Sequence, residues 1–364
     1  MPYGLQDLLS YVPLTKPIQT VRSGIPRVLP EQLWTLTERV PGDRAKVVEY
    51  AGTRKLARIA PYGSPPRQAE HLPVSDRSLV LMHSIEELAF RDELFRILRQ
   101  WDSYAPMQDW CKDEITRQAV EYKTRFENLR TAAVQGVLAN SGLLWFDGEG
   151  NMLPSSSGAA TVIDQLVPAN NKNQLNGLIA ASWALAGTDI VAQINALKTR
   201  AVQTTGRPLR YAFYGANITG YFNGNTSIQN YWWRNKQLSD SYLNTGLAPR
   251  EMLELIWIPV QTGFYEDASG AVVSQFPADQ VTFAPEITAE TYALYEGSIN
   301  VPTSFGASGP DAVAVLKSGI TEAYGMFRYA YMKINPVQIL DVAGDTFLPR
   351  LKNPHEWYFA DVTP

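Results

Sequence analysis

The 364-residue sequence has one cysteine, three histidines and no long apolar run. A lone Cys111 cannot close an internal disulfide, so a disulfide scaffold is excluded and an oxidising compartment is not required. Cys111 reads as a small buried hydrophobe. None of His71, His83 and His355 has a second His or Cys at ligand spacing, which argues against a zinc site. The longest apolar stretch, Gly177 to Gly187, stops at Thr188 and Asp189. A bilayer span needs roughly 18 to 20 such residues. The opening MPYGLQDLLSYVPLTKPIQ lacks the basic-then-apolar order of a secretory signal. A soluble, cytosolic chain is the expectation, and the sequons at Asn217 and Asn225 then carry no meaning.

Catalytic patterns are missing as well. No phosphate-cradling G-x-x-x-x-G-K-[ST], no H-E-x-x-H and no G-x-S-x-G occurs. Gly306-Ala307-Ser308-Gly309-Pro310 is glycine-rich but reads as a loop. Asp147-Gly148-Glu149-Gly150-Asn151 fails as a calcium loop, because Met152 holds the glycine position and Gly158 the final glutamate position. Asp-Gly between apolar runs reads instead as a hairpin turn. Glu86 and Glu87 are adjacent and cannot face one substrate from a helix. The reading therefore names no catalytic residue, no cofactor and no metal ligand.

What is present is ordinary folded protein: 45% hydrophobic and 19% charged residues. Disordered chains are poorer in the first and richer in the second. At roughly 150 residues per domain, two to three units are expected. Net charge is −4 but uneven. Residues 1–80 hold 11 Lys and Arg against 7 Asp and Glu, a net of +4; the rest holds 21 against 29, a net of −8. That is too mild for a nucleic-acid patch. It suits an N-terminal quarter that meets an acidic surface, such as another copy of the chain; random surface variation is the alternative.

Residues 1–30 are rich in proline and predict an extended arm with at most a helical turn near Gln6–Tyr11. Leu33–Thr37, Lys46–Tyr50 and Leu79–His83 read as strands, the last two as the legs of a long hairpin with a polar, proline-rich tip. Ser84 with Glu87 three residues on reads as a capping box opening a helix to about Gln100. A longer helix is predicted from about Gln108 to Ser141. Its stripe is Ile115, Ala119, Tyr122, Phe126, Leu129, Ala133 and Val137. Asp113–Arg117 and Glu121–Arg125 are expected to pair along it. Some 34 residues span roughly 50 Å, so this helix is a spine laid along a sheet or a partner, a coiled coil being the rival. Gly142 fits its C′ position. From about 178 to 320 helices and strands alternate: helix from Thr188 to Thr204, strands at 210–214, 254–260 and 280–285. Strands at 323–333, 337–342 and 357–362 close the chain, with turns at Gly344-Asp345 and Asn353-Pro354. Tyr231-Trp232-Trp233-Arg234 is a dense aromatic cluster with interface composition, the chain's own core being the alternative.

Four stretches carry a family resemblance. They are LARIAPYGSP at Leu56–Pro65, LRYAFYGANITGYF at Leu209–Phe222, PADQVTFAP at Pro277–Pro285, and the end from Asn335-Pro336-Val337 through Lys352-Asn353-Pro354. In this order, and over nearly the whole chain, they resemble major capsid proteins of tailed double-stranded-DNA bacteriophages. The fold implied is the Hong Kong 97-type, of α+β class, nearest the phage lambda-type capsid protein E family. The resemblance implies an N-terminal arm (1–40), an E-loop hairpin (41–84), a peripheral domain with the spine helix (85–177, helix about 108–141), an α/β axial domain (178–320) and closing peripheral strands (321–364). It implies a structural virion protein, not an enzyme. Such proteins self-assemble as hexamers and pentamers into an icosahedral shell around the DNA, in the host cytoplasm and away from membrane. Portal, scaffold and decoration proteins are the family's other partners, and packaged DNA is met non-specifically on the inner face. A long helical, charge-rich N-terminal extension is not seen in the sequence, which suits a scaffold that is a separate protein. The hairpin tip is poorer in basic and glycine residues than is usual, and no Lys–Asn crosslink pair is expected. Contact candidates between subunits are Arg22, Arg27, Arg54, Lys55, Arg58, Arg67, Arg77, Tyr231, Trp232, Trp233 and Arg234. An enzyme or ligand-binding module on the 178–320 lobe, or a tail protein, are the rival readings.

Overall fold

The computed structural model describes residues 11–20, 29–50, 74–90, 104–172, 178–234, 240, 249–260, 264–266, 270, 272–302, 306–308, 320–334 and 337–363. Helix α1 (Tyr11–Thr20) and the turn α2 (Gln32–Thr35) come first, then β1 (Thr37–Val40), β2 (Arg44–Tyr50), β3 (Val74–Val80) and β4 (Met82–Ala89). The long helix α3 (Tyr104–Ala139) leads to β5 (Leu143–Phe146), β6 (Met152–Leu153) and β7 (Thr161–Asp164). The lobe holds α4 (Ile190–Thr205), β8 (Leu209–Tyr214), α5 (Ile218–Gly224), α6 (Thr226–Arg234), β9 (Glu251–Met252), β10 (Leu255–Pro259), β11 (Phe264–Glu266), β12 (Val272–Ser274) and β13 (Gln280–Pro285). The chain ends with β14 (Tyr292–Pro302), β15 (Gly306–Ser308), β16 (Ile320–Tyr324), β17 (Phe327–Ile334), β18 (Val337–Leu351) and β19 (Tyr358–Asp361).

Alternating burial explains the α3 packing. Ile115, Ala119, Tyr122, Phe126, Ala133 and Val137 are all buried, at the helical spacing the sequence shows. They rest on a seven-stranded mixed sheet of order β1-β14-β18-β17-β15, with β16 added to β14 and β4 to β18. The helix stops because Ser141 (φ 57°) and Gly142 (φ 77°) turn left-handed. A Cβ on Gly142 would sit 2.9 Å from Val167 Cγ2, so glycine is required for space as well as for φ.

A five-stranded sheet, order β19-β13-β8-β10-β9, carries the lobe. It is apolar on both faces. Phe213, Ile258, Ala284 and Phe359 pack toward the end of α3, while the neighbouring Ala212, Trp257, Phe283 and Tyr358 pack toward α4, α5 and α6. Period-two alternation of apolar with apolar is what a sheet covered on both sides requires. Asp189 caps α4 by accepting from Ala192 N at 3.0 Å, and Gly206 ends it left-handed.

Several expectations fail for identifiable reasons. Residues 85–89 are strand: they pair antiparallel with β18, from Ile85 opposite Gly344 to Ala89 opposite Leu340. Ladder pairing overrides the local capping signal. Leu33–Thr35 form a helical turn rather than a strand. The expected turn at Gly344-Asp345 lies inside the 15-residue β18, and Gly306–Ser308 pair in parallel with β17 instead of forming a loop. The strand at 323–333 is broken at Gly325 (φ 64°) into β16 and β17. Arg117 pairs with Glu114 at 2.6 Å and Glu121 at 3.5 Å rather than with Asp113. The closing stretch is shared: β16–β18 join the seven-stranded sheet, whereas β19 extends the lobe's sheet.

Candidate assembly surfaces

The face of β18 turned to α3 bears Asp341, Ala343, Asp345 and Phe347. Asp341 and Arg328 are both fully buried and paired; the guanidinium Nε donates to Oδ1 at 2.9 Å and Oδ2 at 2.8 Å. Arg328 Nη1 also donates to Ile115 O at 2.7 Å and Nη2 to Gln118 Oε1 at 3.2 Å, while Tyr122 O–H donates to Asp341 O at 2.6 Å. Burial pushes the Asp341 carboxyl above the usual carboxylate range, and Arg328 pulls it back. Four residues along β18, Arg130 of α3 holds Asp345 with two bonds of 2.6 Å and reaches Glu296 at 3.2 Å. Burial works against the Arg130 charge, but Asp345 and then Glu296 more than offset it and raise its pKa. The Arg130–Asp345 fork and the Arg328 bonds to Ile115 O and Gln118 hold α3 on the sheet in one register, while the Arg328–Asp341 fork ties β17 to β18 within it.

Where it is described, at residues 11–20, the N-terminal segment is helix rather than the extended arm expected. Residues 11–20 form α1, which buries Leu14 and Ile18 against the chain's own body. Thr15 Oγ1 donates to Arg328 O at 3.0 Å, so α1 covers the buried pair directly. Leu29 and Leu33 also enter the main core.

Strands β2 and β3 pair antiparallel from Arg44 opposite Val80 to Tyr50 opposite Val74, so the second leg is Val74–Val80 rather than the expected Leu79–His83, whose last two residues open β4 and pair with β18 instead. At the base of the hairpin Ala45 is buried and Leu79 half-buried against the main core, while Arg44, Lys46, Ser78 and Val80 are exposed. Among the described residues no third strand pairs with this ribbon. Beside its base an open groove of about 1400 Å³ runs over α3, walled by β3–β4 on one side and the β5–β6–β7 sheet on the other. In the Asp147 turn the carboxylate accepts from Glu149 N at 2.9 Å and Asn151 N at 2.8 Å, the hairpin turn that the Asp-Gly signal predicts.

Of the sequence candidates, Arg22, Arg27, Arg54, Lys55, Arg58 and Arg67 lie outside the described residues, as does His71. Arg77 sits on β3 opposite Val47. Tyr231 is half-buried against the lobe core and Arg234 is exposed at the end of α6, which also carries Trp233. Trp232 is corrected: it is 5% exposed and its indole N–H points to Met252 Sδ at 3.1 Å, so it belongs to the lobe's own core. Cys111 is buried, and desolvation pushes its thiol up to about 11. His83 meets Thr346 Oγ1 at 2.7 Å, with its pKa lowered by burial. The polar residues that organise the frame, Arg130 and Arg328, carry no local sequence signal of that role. The visible signal was two aspartates inside the apolar strand LDVAGDTFL.

No protein-family model matches the sequence, and no curated protein matches it. Solved structures do. A phage-related protein from Bordetella bronchiseptica RB50 aligns over 99% of this chain and 98% of its own, at 10% identity and a TM-score of 0.52. The chain shares that protein's fold. Two further resemblances are the putative capsid protein of a prophage of E. coli CFT073 (13% identity, 80% of each chain, TM-score 0.45) and the major capsid protein of Phage G (8% identity, 100% and 99% coverage, TM-score 0.38). No helix among the described residues is long and apolar enough to cross a membrane.

Proposed function

We propose that this chain is the major capsid protein of a tailed bacteriophage, a structural protein that closes on copies of itself into an icosahedral shell around double-stranded DNA. The observation that carries the reading is the β2–β3 ribbon. Its seven rungs join no larger sheet among the described residues. A lone two-stranded ribbon is marginal in water and needs a surface to lie on. In a shell, neighbouring copies supply that surface without any other partner. In this reading the ribbon is the E-loop, α3 is the spine helix and the lobe of α4–α6 is the axial domain. Hexamers and pentamers form in the host cytoplasm.

The locked frame fits the role. Shell contacts are individually weak and repeated, so each subunit must present them from a rigid body. The buried Arg328–Asp341 and Arg130–Asp345 forks give α3 and the large sheet that rigidity.

The test is expression of the chain alone and inspection by negative-stain microscopy. Closed icosahedral particles are expected from the full chain. A variant in which residues 51–73 are replaced by Asn-Gly, a turn suited to joining β2 to β3, is expected to fold but to form none. Small discrete oligomers whose stability depends on an added ligand would overturn the reading in favour of an enzyme or binding module.

A further inference from the structure

The chain crosses from the lobe's sheet to the large sheet between β13 and β14, at residues 286–291, and returns between β18 and β19, at residues 352–357. The two crossings lie side by side, with Lys352 N donating to Thr291 O at 3.0 Å. The return is a tight turn. Glu356 N donates to Asn353 O at 3.0 Å and Trp357 N to Pro354 O at 3.4 Å. Asn171 clips it by donating through Nδ2 to His355 O at 2.7 Å and to Trp357 O at 3.0 Å. Two buried polar atoms of this turn find no partner among the described residues, Glu356 Oε2 and Trp357 Nε1. Folded proteins seldom leave such atoms unpaired, so each one calls for a physical reason.

For Glu356 the reason is charge. Its side chain is sealed in the joint, at 8% exposure. From the turn between α4 and β8, Arg207 approaches its Oε1 with Nε at 3.5 Å, while Nη2 donates to the exposed Glu290 at 2.6 Å. One guanidinium thus touches both crossings and holds the first more closely. Burial and then Glu290 favour the protonated Glu356 carboxyl, against the pull of Arg207. On β19 the Tyr358 phenol senses Glu356 and Arg200 of α4, but burial holds it neutral and it adds no charge. An open groove of about 720 Å³ brings water to Arg207 and Glu290, which line it, whereas Glu356 is not on its wall. A Glu356 that loses its proton therefore gains a charge that neither water nor a close donor satisfies. Water reaches that charge when the turn opens.

We infer that Glu356 is a proton-operated latch on the return from the large sheet to the lobe: protonated, it lies shut in the joint, and ionised, it opens the 352–357 turn to water. A carboxyl that binds its proton more tightly shut than open keeps the latch closed at low pH. The closure weakens as pH climbs through the pKa of the shut form. The latch is a property of the single subunit and does not depend on the capsid reading.

Amide hydrogen exchange of the unassembled full chain, read by mass spectrometry, tests it. Rates are corrected for the intrinsic pH dependence of exchange. The peptide covering 352–357 is then expected to exchange roughly threefold faster or more at about pH 7.5 than at about pH 4.5, a window that opens near the ordinary glutamate value. Glu356→Gln keeps the shape without the charge and is expected to abolish that rise. Glu290→Gln, at an exposed position, frees Arg207 for Glu356 and is expected to shrink it, which a purely structural Glu356 would not do. A flat wild-type profile overturns the inference. So does a rise of equal size in Glu356→Gln, which would place the titrating group elsewhere, or an undiminished rise in Glu290→Gln. The readout is local opening in single subunits, so a chain that never forms shells would count against the capsid reading and leave the latch standing.

Discussion

At the scale of single residues, the Arg328–Asp341 pair is the most consequential contact in the frame. Both side chains are fully buried, and Arg328 also carries bonds to Ile115 O and Gln118. Removing one partner strands the other in a medium that cannot solvate it, a cost of about 3–5 kcal/mol. Asp341→Ala is therefore expected to lose about that much stability in urea unfolding. Replacing both partners by apolar side chains removes the stranded charge. Arg328→Met/Asp341→Leu is expected to recover more than half of the loss. If the double variant is no better than the single one, the desolvation argument is wrong and the backbone bonds of Arg328 are what matter.

At the scale of elements, α1 shows how the chain's start is divided. Leu14 and Ile18 are fully buried against α3 and the large sheet, and Thr15 bonds the backbone of Arg328. Burying two such side chains contributes about 1.5–3 kcal/mol each. Deleting residues 1–20 is expected to cost roughly 3–6 kcal/mol in denaturant unfolding on the same basis, so this truncation tests folding before it tests assembly. An unchanged midpoint would mean that α1 is not held on its own body. The sequence made α3 legible because its stripe is long and regular, and it made the β2 leg legible at Lys46–Tyr50, whereas the second leg expected at Leu79–His83 lies at Val74–Val80. It made α1 hard to see, since Pro13 and Pro17 argue against helix although both lie within it. It made β4 misleading. Ser84-Ile85-Glu86-Glu87 suits a helix start, and only the ladder to β18, more than 250 residues away, decides for strand. Gly344-Asp345 looked like a turn because nothing local shows that Asp345 is held by Arg130. Nor does it show that a Cβ on Gly344 would sit 2.3 Å from the Phe327 ring. Trp232 looked like an interface anchor for the same reason: composition cannot distinguish a core aromatic from a surface one.

At the scale of the whole molecule, the two sheets are joined by a polar cluster that sequence could not reveal. Arg207, in the turn between α4 and β8, reaches Glu290 at 2.6 Å just before β14 and Glu356 at 3.5 Å just before β19. Glu290 is exposed, but Glu356 is buried and its Oε2 has no hydrogen-bond partner among the described residues. Burial raises the Glu356 pKa above the ordinary carboxylate value, with Arg207 opposing and Glu290 reinforcing the rise. A carboxyl that holds its proton more tightly folded than unfolded favours the folded state at low pH. That contribution fades as pH climbs through the raised folded value. Glu356→Gln keeps the shape and removes the charge, so it mimics the protonated group at every pH. It is expected to raise the melting temperature at pH 7 and to change it little at pH 4, where the wild-type group is already largely protonated. The comparison reads the junction between lobe and frame directly, because Arg207 keeps Glu290 in both chains. A variant that melts lower than wild type at pH 7 would mean that the Arg207–Glu356 attraction outweighs the cost of burying the carboxylate, and that the junction is held by charge rather than strained by it.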